Sequence, residues 1–217
     1  MAAGVIFTID GVGGFNISTT AMAMAFKLCG LPQRIEQIYW SHGFGQWLLD
    51  LQDSRRMEDK ARELAMRIEN LYASGVNVYI VAKSAGCAIA LKALSLVPAD
   101  SVQKVILLAP AVSPQYKLQP ALRAVKEKLV SFWSPNDAFI LGLGTTLFGT
   151  ADGAYSKSAG MIGFAAPQAI DSEAANLYEK FSQIKWRPSM VATLNFGDHQ
   201  GSVTLPFLAN HVVPLLK

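Results

Sequence analysis

The chain has 217 residues, 51% of them apolar and 16% charged, with a formal net charge of +3. That composition leaves no charge-rich, apolar-poor tail to be disordered, and the length suits one well-buried domain spanning residues 1–217. The basic residues form only short pairs such as Arg55 and Arg56, which argues against a nucleic-acid partner, and no run approaches the roughly 18 uncharged apolar residues that would insert in a membrane.

The first residues, "MAAGVIFTIDG", place no basic residue ahead of the apolar run and reach Asp-Gly too early for a signal peptide, so a cytoplasmic location is expected. Gly4 to Asp10 reads as a strand ending in a glycine-rich turn, and Ser18 to Leu28 as a helix capped by Asn16 or Ser18 and stopped near Gly30. Arg34 to Trp40 is a second strand, ending at "SHGFG". Ser54 to Tyr72 interleaves apolar positions with charges and predicts a half-exposed helix. A buried strand at Asn77 to Ala82, a helix from Ala85 to Leu96 and a buried strand at Lys104 to Pro110 follow. Further on, a helix from Pro120 to Val130 leads into the strand "LVSFWS", and a helix from Ser172 to Ile184 leads into a strand from Ser189 to Phe196. A last helix covers Leu205 to Leu216. Strand and helix in alternation imply an α/β, three-layer sandwich: a mostly parallel sheet with helices on both faces. Leu141 to Pro167, rich in Gly, Ala, Ser and Thr, is long for a connection inside a compact domain. Cys29 and Cys87 are isolated and lack C-x-x-C spacing, which suits reduced, buried thiols.

Strand, "AKSAG", helix is the context in which a serine on a sharp turn projects at the carboxyl edge of the sheet, with the small Ala82 and Gly86 beside it. The bland alternative is that Ser84 caps the following helix. A nucleophilic serine needs a base and a group that orients the base. Of the three histidines, His199 in "NFGDHQG" follows the last predicted strand, His42 in "SHGFG" stays in reserve, and His211 lies within the final helix as a packed residue. Asp137 in "SFWSPNDAF" follows a strand and is the candidate acid, with Asp198 as a rival that reads better as a turn residue. The loop "DGVGGFN" lies at the same edge and can aim the amide of Val12 at the point reached by the amide of Ala85, which suits an oxyanion hole. It does not match G-x-G-x-x-G, so a nucleotide is disfavoured.

This combination resembles the α/β-hydrolase family across nearly the whole chain, and within it the compact bacterial lipases and esterases that lack a cap domain. The nucleophile turn stands here as "AKSAG" and the oxyanion loop as "DGVGG", and the order Ser84, Asp137, His199 is the family's order of nucleophile, acid and base. The resemblance implies a serine hydrolase that cleaves carboxylic esters through an acyl-enzyme, takes a small-molecule acyl ester, and needs no metal or organic cofactor. Thioesterase, amidase or acyltransferase chemistry with the same residues, and a silent binding protein on the same scaffold, are the alternatives. Two departures stand out: Lys83 before the nucleophile, and Asp10 in place of the oxyanion-motif histidine. A carboxylate at Asp10 would oppose an oxyanion unless it turned away to bond the loop backbone. Gly13, Lys83, Leu143 and Phe148 are expected to touch substrate. Leu141, Leu147, Met161 and Phe164 would complete an apolar wall with Leu143 and Phe148.

Overall fold

The computed structural model describes residues 4–137, 157–166 and 172–217. Among the described residues, one fully parallel sheet of six strands is formed, in the order β2-β1-β3-β4-β5-β6. The strands are β1 (Val5–Ile9), β2 (Arg34–Ile38), β3 (Val78–Lys83), β4 (Val102–Leu108), β5 (Val125–Trp133) and β6 (Phe181–Lys185). Composition follows position in the sheet. Central β1, "VIFTI", is buried at every residue, whereas the edge strands "RIEQI" and "FSQIK" are polar and half-exposed.

Side chains alternate across the pleat and build two cores. Phe7, Ile9, Ile80, Ala82 and Leu107 face α3 (Ser54–Ala73), α4 (Gly86–Leu94) and α5 (Gln119–Ala124). Ile6, Val81, Ile106, Val130 and Phe132 face α1 (Ile17–Leu28) and a C-terminal helix over residues 205–216, here α8. Between these lie the short α2 (Trp47–Gln52), α6 (Ala159–Ile162) and α7 (Ser172–Tyr178). Inside α8 the stretch Leu208–Val212 is a π-turn placed just before Pro214, whose ring clashes with the carbonyl four residues back. Among the described residues no helix is long and apolar enough to cross a membrane, and no group of three His, Cys, Asp or Glu side chains could hold a metal ion.

Several expectations are corrected. The helix of Pro120 to Val130 stops at Ala124, because Val125 already pairs with Val102 of β4 and sheet pairing overrides the helix-forming Lys126, Glu127 and Lys128. The helix of Ser172 to Ile184 stops at Tyr178, and Phe181–Lys185 takes the edge of the sheet beside β5. The strand expected at Ser189 to Phe196 is instead a 3₁₀ helix, Pro188–Thr193. Neither Asn16 nor Ser18 caps α1 through its side chain: Asn16 makes no such bond, and the Ser18 amide donates to Asp10 Oδ2 at 3.1 Å. Helix α2 has no counterpart in the sequence reading.

The chain passes from β1 outward to β2, then returns to the other side of β1 as β3. The crevice at the carboxyl ends of β1 and β3 is therefore the switch point where open α/β sheets bind ligands. The two chains leave the sheet there almost in contact: a Cβ on Gly86 would lie 2.4 Å from the Asp10 carbonyl and 2.9 Å from Ile9 Cγ2. Gly86→Ala is expected to lower stability by roughly 1–3 kcal/mol through overpacking. The exposed Met66→Ala on α3 should stay within about 0.5 kcal/mol of the parent. Urea unfolding curves of the two variants check the contrast.

Candidate active site

Ser84 sits between β3 and α4 with φ 53°, the left-handed region that a residue with a side chain rarely occupies. The surroundings impose that turn. The Ser84 amide donates to the Leu108 carbonyl at 3.0 Å, and the Ser84 carbonyl accepts from the amides of Cys87 and Ala111, each at 3.1 Å. Ala82 is fully buried at the position before Lys83, and Gly86 passes against β1, so both flanking positions require small residues. The arrangement is a strained strand-to-helix turn with Ser84 at its apex.

His199 reaches the same edge from the loop after the 3₁₀ helix Pro188–Thr193, not from a strand end as the sequence suggested. Its Nδ1 lies 2.7 Å from Asp137 Oδ2, and both side chains are buried. With Nδ1–H donating to the carboxylate, Nε2 is left as the acceptor. Burial pushes the His199 imidazole below its ordinary value, the charge of Lys83 pushes the same way, and Asp137 opposes them. The ring is a neutral base at neutral pH.

Lys83 is 1% exposed, and its Nζ donates to the His199 carbonyl. It borders the cavity beside Ser84, and its ammonium is bonded to the loop that carries the imidazole. Burial pushes this ammonium down to about 8, against the attraction of Asp137, Cys87, Asp10 and Asp198. Cys29 and Cys87 are free thiols, and burial pushes Cys87 up to about 12, which leaves it inert.

The glycine-rich loop after β1 divides its amides by direction. Gly11 donates to Asp10 Oδ1 at 2.7 Å, and Gly13 donates to Asp50 Oδ2 at 2.7 Å. The expectation for Asp10 holds: its two carboxylate oxygens face the amides of Gly11 and Ser18. The Gly13 amide is turned toward Asp50, and Gly13 is not among the residues that border the cavity beside Ser84. Asp50 is fully buried. Burial alone would raise its carboxyl, but the Gly13 amide, the Ser41 hydroxyl and the amide and ring of His42 together hold it below its ordinary value. The reserve base His42 is thereby taken: its ring nitrogens lie 2.9 Å from Asp50 Oδ1 and 3.0 Å from Asp53 Oδ2. No hydrogen bond is formed by the amides of Val12 and Ala85 among the described residues.

A cavity of about 280 Å³ opens at this point, bordered by Gly11, Val12, Phe15, Trp47, Ser84, His199 and Gln200. Ser84, His199 and Val12 thus meet around one space, and Asp137 backs the imidazole from below. The Asp198 carboxylate accepts from the Gln200 amide at 3.1 Å, as a turn residue does, and His211 stacks on Phe207 at 4.8 Å, within α8. Phe15 and Trp47 were not anticipated, since they enter through a loop and a helix with no motif of their own. Of the expected apolar wall, Leu141, Leu143, Leu147 and Phe148 lie outside the described residues. Phe164 belongs to the core, with its ring 5.7 Å from that of Phe181, and Met161 packs on Ala109 and Ala111.

No protein-family model and no curated protein matches the chain. Solved structures do, among them two described as hydrolases by prediction. A CIB-like hydrolase from Thermoplasma acidophilum superposes with a TM-score of 0.56 at 14% identity, over 99% of this chain and 86% of that one. A hydrolase of the alpha/beta superfamily from Xanthomonas campestris pv. campestris superposes with a TM-score of 0.51 at 16% identity, over 98% of each chain. The parallel sheet flanked by helices and these likenesses over nearly the full length give the protein the α/β-hydrolase fold.

Proposed function

We propose that the protein is a serine hydrolase acting on neutral carboxylic esters with an apolar acyl group. One observation carries the reading: Ser84, on its strained turn, shares a cavity with His199, whose far ring nitrogen is held at 2.7 Å by the buried Asp137. Ser84 Oγ attacks the ester carbonyl carbon while His199 Nε2 takes its proton. The carbonyl electron pair moves to oxygen, which the amides of Val12 and Ala85 receive. The tetrahedral adduct collapses, the C–O bond to the alcohol breaks, and the imidazolium protonates the departing alkoxide. Water, deprotonated by His199, then releases the acid and regenerates the serine.

The cavity argues for the substrate class. Val12, Phe15 and Trp47 supply apolar walls, while the charges nearby are already engaged, Lys83 with the His199 carbonyl and Asp10 with two amides. A charged acyl group would be desolvated there without a partner. Phe44, 80% exposed with its ring 4.7 Å from that of Phe15, extends the apolar wall beyond the mouth.

A fluorophosphonate probe is expected to label Ser84, as mapped by mass spectrometry, and labelling should vanish in Ser84→Ala and drop by on the order of 10⁴-fold or more in His199→Ala. A folded wild-type protein that stays unlabelled would leave a binding protein on a hydrolase scaffold. Among p-nitrophenyl esters, thioesters and anilides, kcat/KM should be highest for esters, rise from acetate to a medium-chain acyl group, and be low for a hemisuccinate. A preference for thioesters or anilides would reassign the leaving group.

The pH dependence follows from His199. Because its value lies below that of an ordinary histidine, the ring stays unprotonated as pH falls past about 6.5. Activity should therefore be level through neutrality and fall only below that point, as protonation removes the acceptor. An acid limb centred above pH 7 in kcat/KM would contradict His199 as the base in this environment.

A further inference from the structure

Lys83 immediately precedes Ser84, and its register on β3 places it beside Leu108 of β4. The alternation of the strand sends its side chain to the opposite face from Ala82, under the loop that carries His199. A lysine almost never sits fully buried unless its ammonium is held by a partner. Here the partner is the backbone carbonyl of the residue whose ring serves Ser84.

We infer that Lys83 is a positioning residue for His199: its ammonium anchors the carbonyl of that residue, fixes the loop that presents the imidazole, and lays a positive charge beside the ring. Two consequences follow, and both rest on the reading of His199 as the base. The first is mechanical. Asp137 orients the ring through Nδ1, but the backbone that carries the ring is tied to the sheet by Lys83, one residue from the nucleophile. Nucleophile and base thus hang from the same strand end. The second is electrostatic. A cation next to the imidazole disfavours a second positive charge, in the direction that keeps His199 neutral. The titratable groups around Lys83 come from every neighbouring element: Asp10 at the end of β1, Cys87 on α4, Asp137 after β5, and Asp198 with His199 in the loop before α8. None of their carboxylates takes the ammonium as its hydrogen-bond partner. Asp137 Oδ2 serves His199, both Asp10 oxygens serve amides, and Asp198 Oδ2 serves Gln200.

The test compares wild type with Lys83→Met, which keeps the stem and loses charge and donors, and Lys83→Arg, which keeps both. The readouts are the ¹⁵N titration of the His199 ring and the pH-dependent rate of fluorophosphonate labelling at Ser84. In Lys83→Met, His199 should titrate at higher pH than in wild type, and labelling should slow by roughly tenfold to a hundredfold even where the ring is neutral in both. Lys83→Arg should return the His199 titration toward wild type. In the wild-type protein itself, the Lys83 Nζ signal should titrate near 8 rather than at the ordinary lysine value. Unchanged titration and rate in Lys83→Met would overturn the inference. So would a wild-type His199 ¹⁵N signal that does not move as Lys83 loses its proton, a result available even if neither variant folds. Absence of Ser84 labelling in wild type would instead remove the hydrolase reading, since both titrations are measured without turnover.

Discussion

The site depends on one close approach. Where β1 and β3 end side by side, the Asp10 carbonyl lies against Gly86, and a Cβ on Gly11 would meet Ser84 Cβ at 3.1 Å. A side chain at Gly86 would displace the end of β1, and one at Gly11 would press on the Ser84 side chain, so the loop after β1 and the Ser84 turn are packed directly against each other. The positive φ of Ser84 costs on the order of 1–3 kcal/mol. It persists because the strand bond to Leu108 and the amides of Cys87 and Ala111 fix the turn from three sides. Those contacts connect the Ser84 turn to the end of β4 and the segment beyond it, which gives the Ser84 hydroxyl a rigid base.

Around that base the protein sorts its charges. Two carboxylates, Asp10 and Asp50, lie next to the glycine-rich loop after β1. Each draws amides to itself: Gly11 and Ser18 to Asp10, Gly13 and His42 to Asp50. Their charge is thereby spent within the scaffold, and it also sets the loop's conformation, because Gly11 and Gly13 are pulled to different partners while the Val12 amide between them forms no hydrogen bond among the described residues. Asp50 extends the effect outward through His42 to Asp53, so the reserve histidine of the sequence acts as a brace for the loop. The Trp40 indole adds a further tie to the Asp10 carbonyl at 2.8 Å.

What the sequence makes legible follows the range of the interaction that decides it. Buried strands such as Gly4 to Asp10 and Asn77 to Ala82, and the nucleophile turn between Ala82 and Gly86, are set by local pattern and are found within a residue or two of their expected bounds. The last strand is misplaced because "SMVATLNF" is as apolar as "FSQIK" is polar, yet an edge position tolerates polar residues and the start of the former is fixed by Pro188. Ser84, Asp137 and His199 are readable as residue types at strand ends and in the loops beyond them. The fate of Gly13 rests on a partner 37 residues away, and that of Lys83 on a carbonyl 116 residues away. Neither partner announces itself in a motif, so the internal bonds that both residues make are not readable from the sequence.

Lys83 also shows how packing and chemistry diverge in the same few ångströms. Cys87, in the first turn of α4, is equally buried and behaves as a small hydrophobe with its thiol donating to the Ala82 carbonyl at 3.3 Å. By packing alone an unbranched apolar residue would serve at position 83 as well or better, since a buried ammonium loses its hydration and regains little from a single carbonyl. The stem of the lysine fills the core, but the core does not account for its head. The account lies in where the head is: between the strand that presents Ser84 and the loop that presents His199, with the carboxylate of Asp137 close enough to attract it. A charge that the core would reject becomes favourable only in company with Asp137 and the His199 carbonyl, and this couples the integrity of the cluster to the protonation of its members.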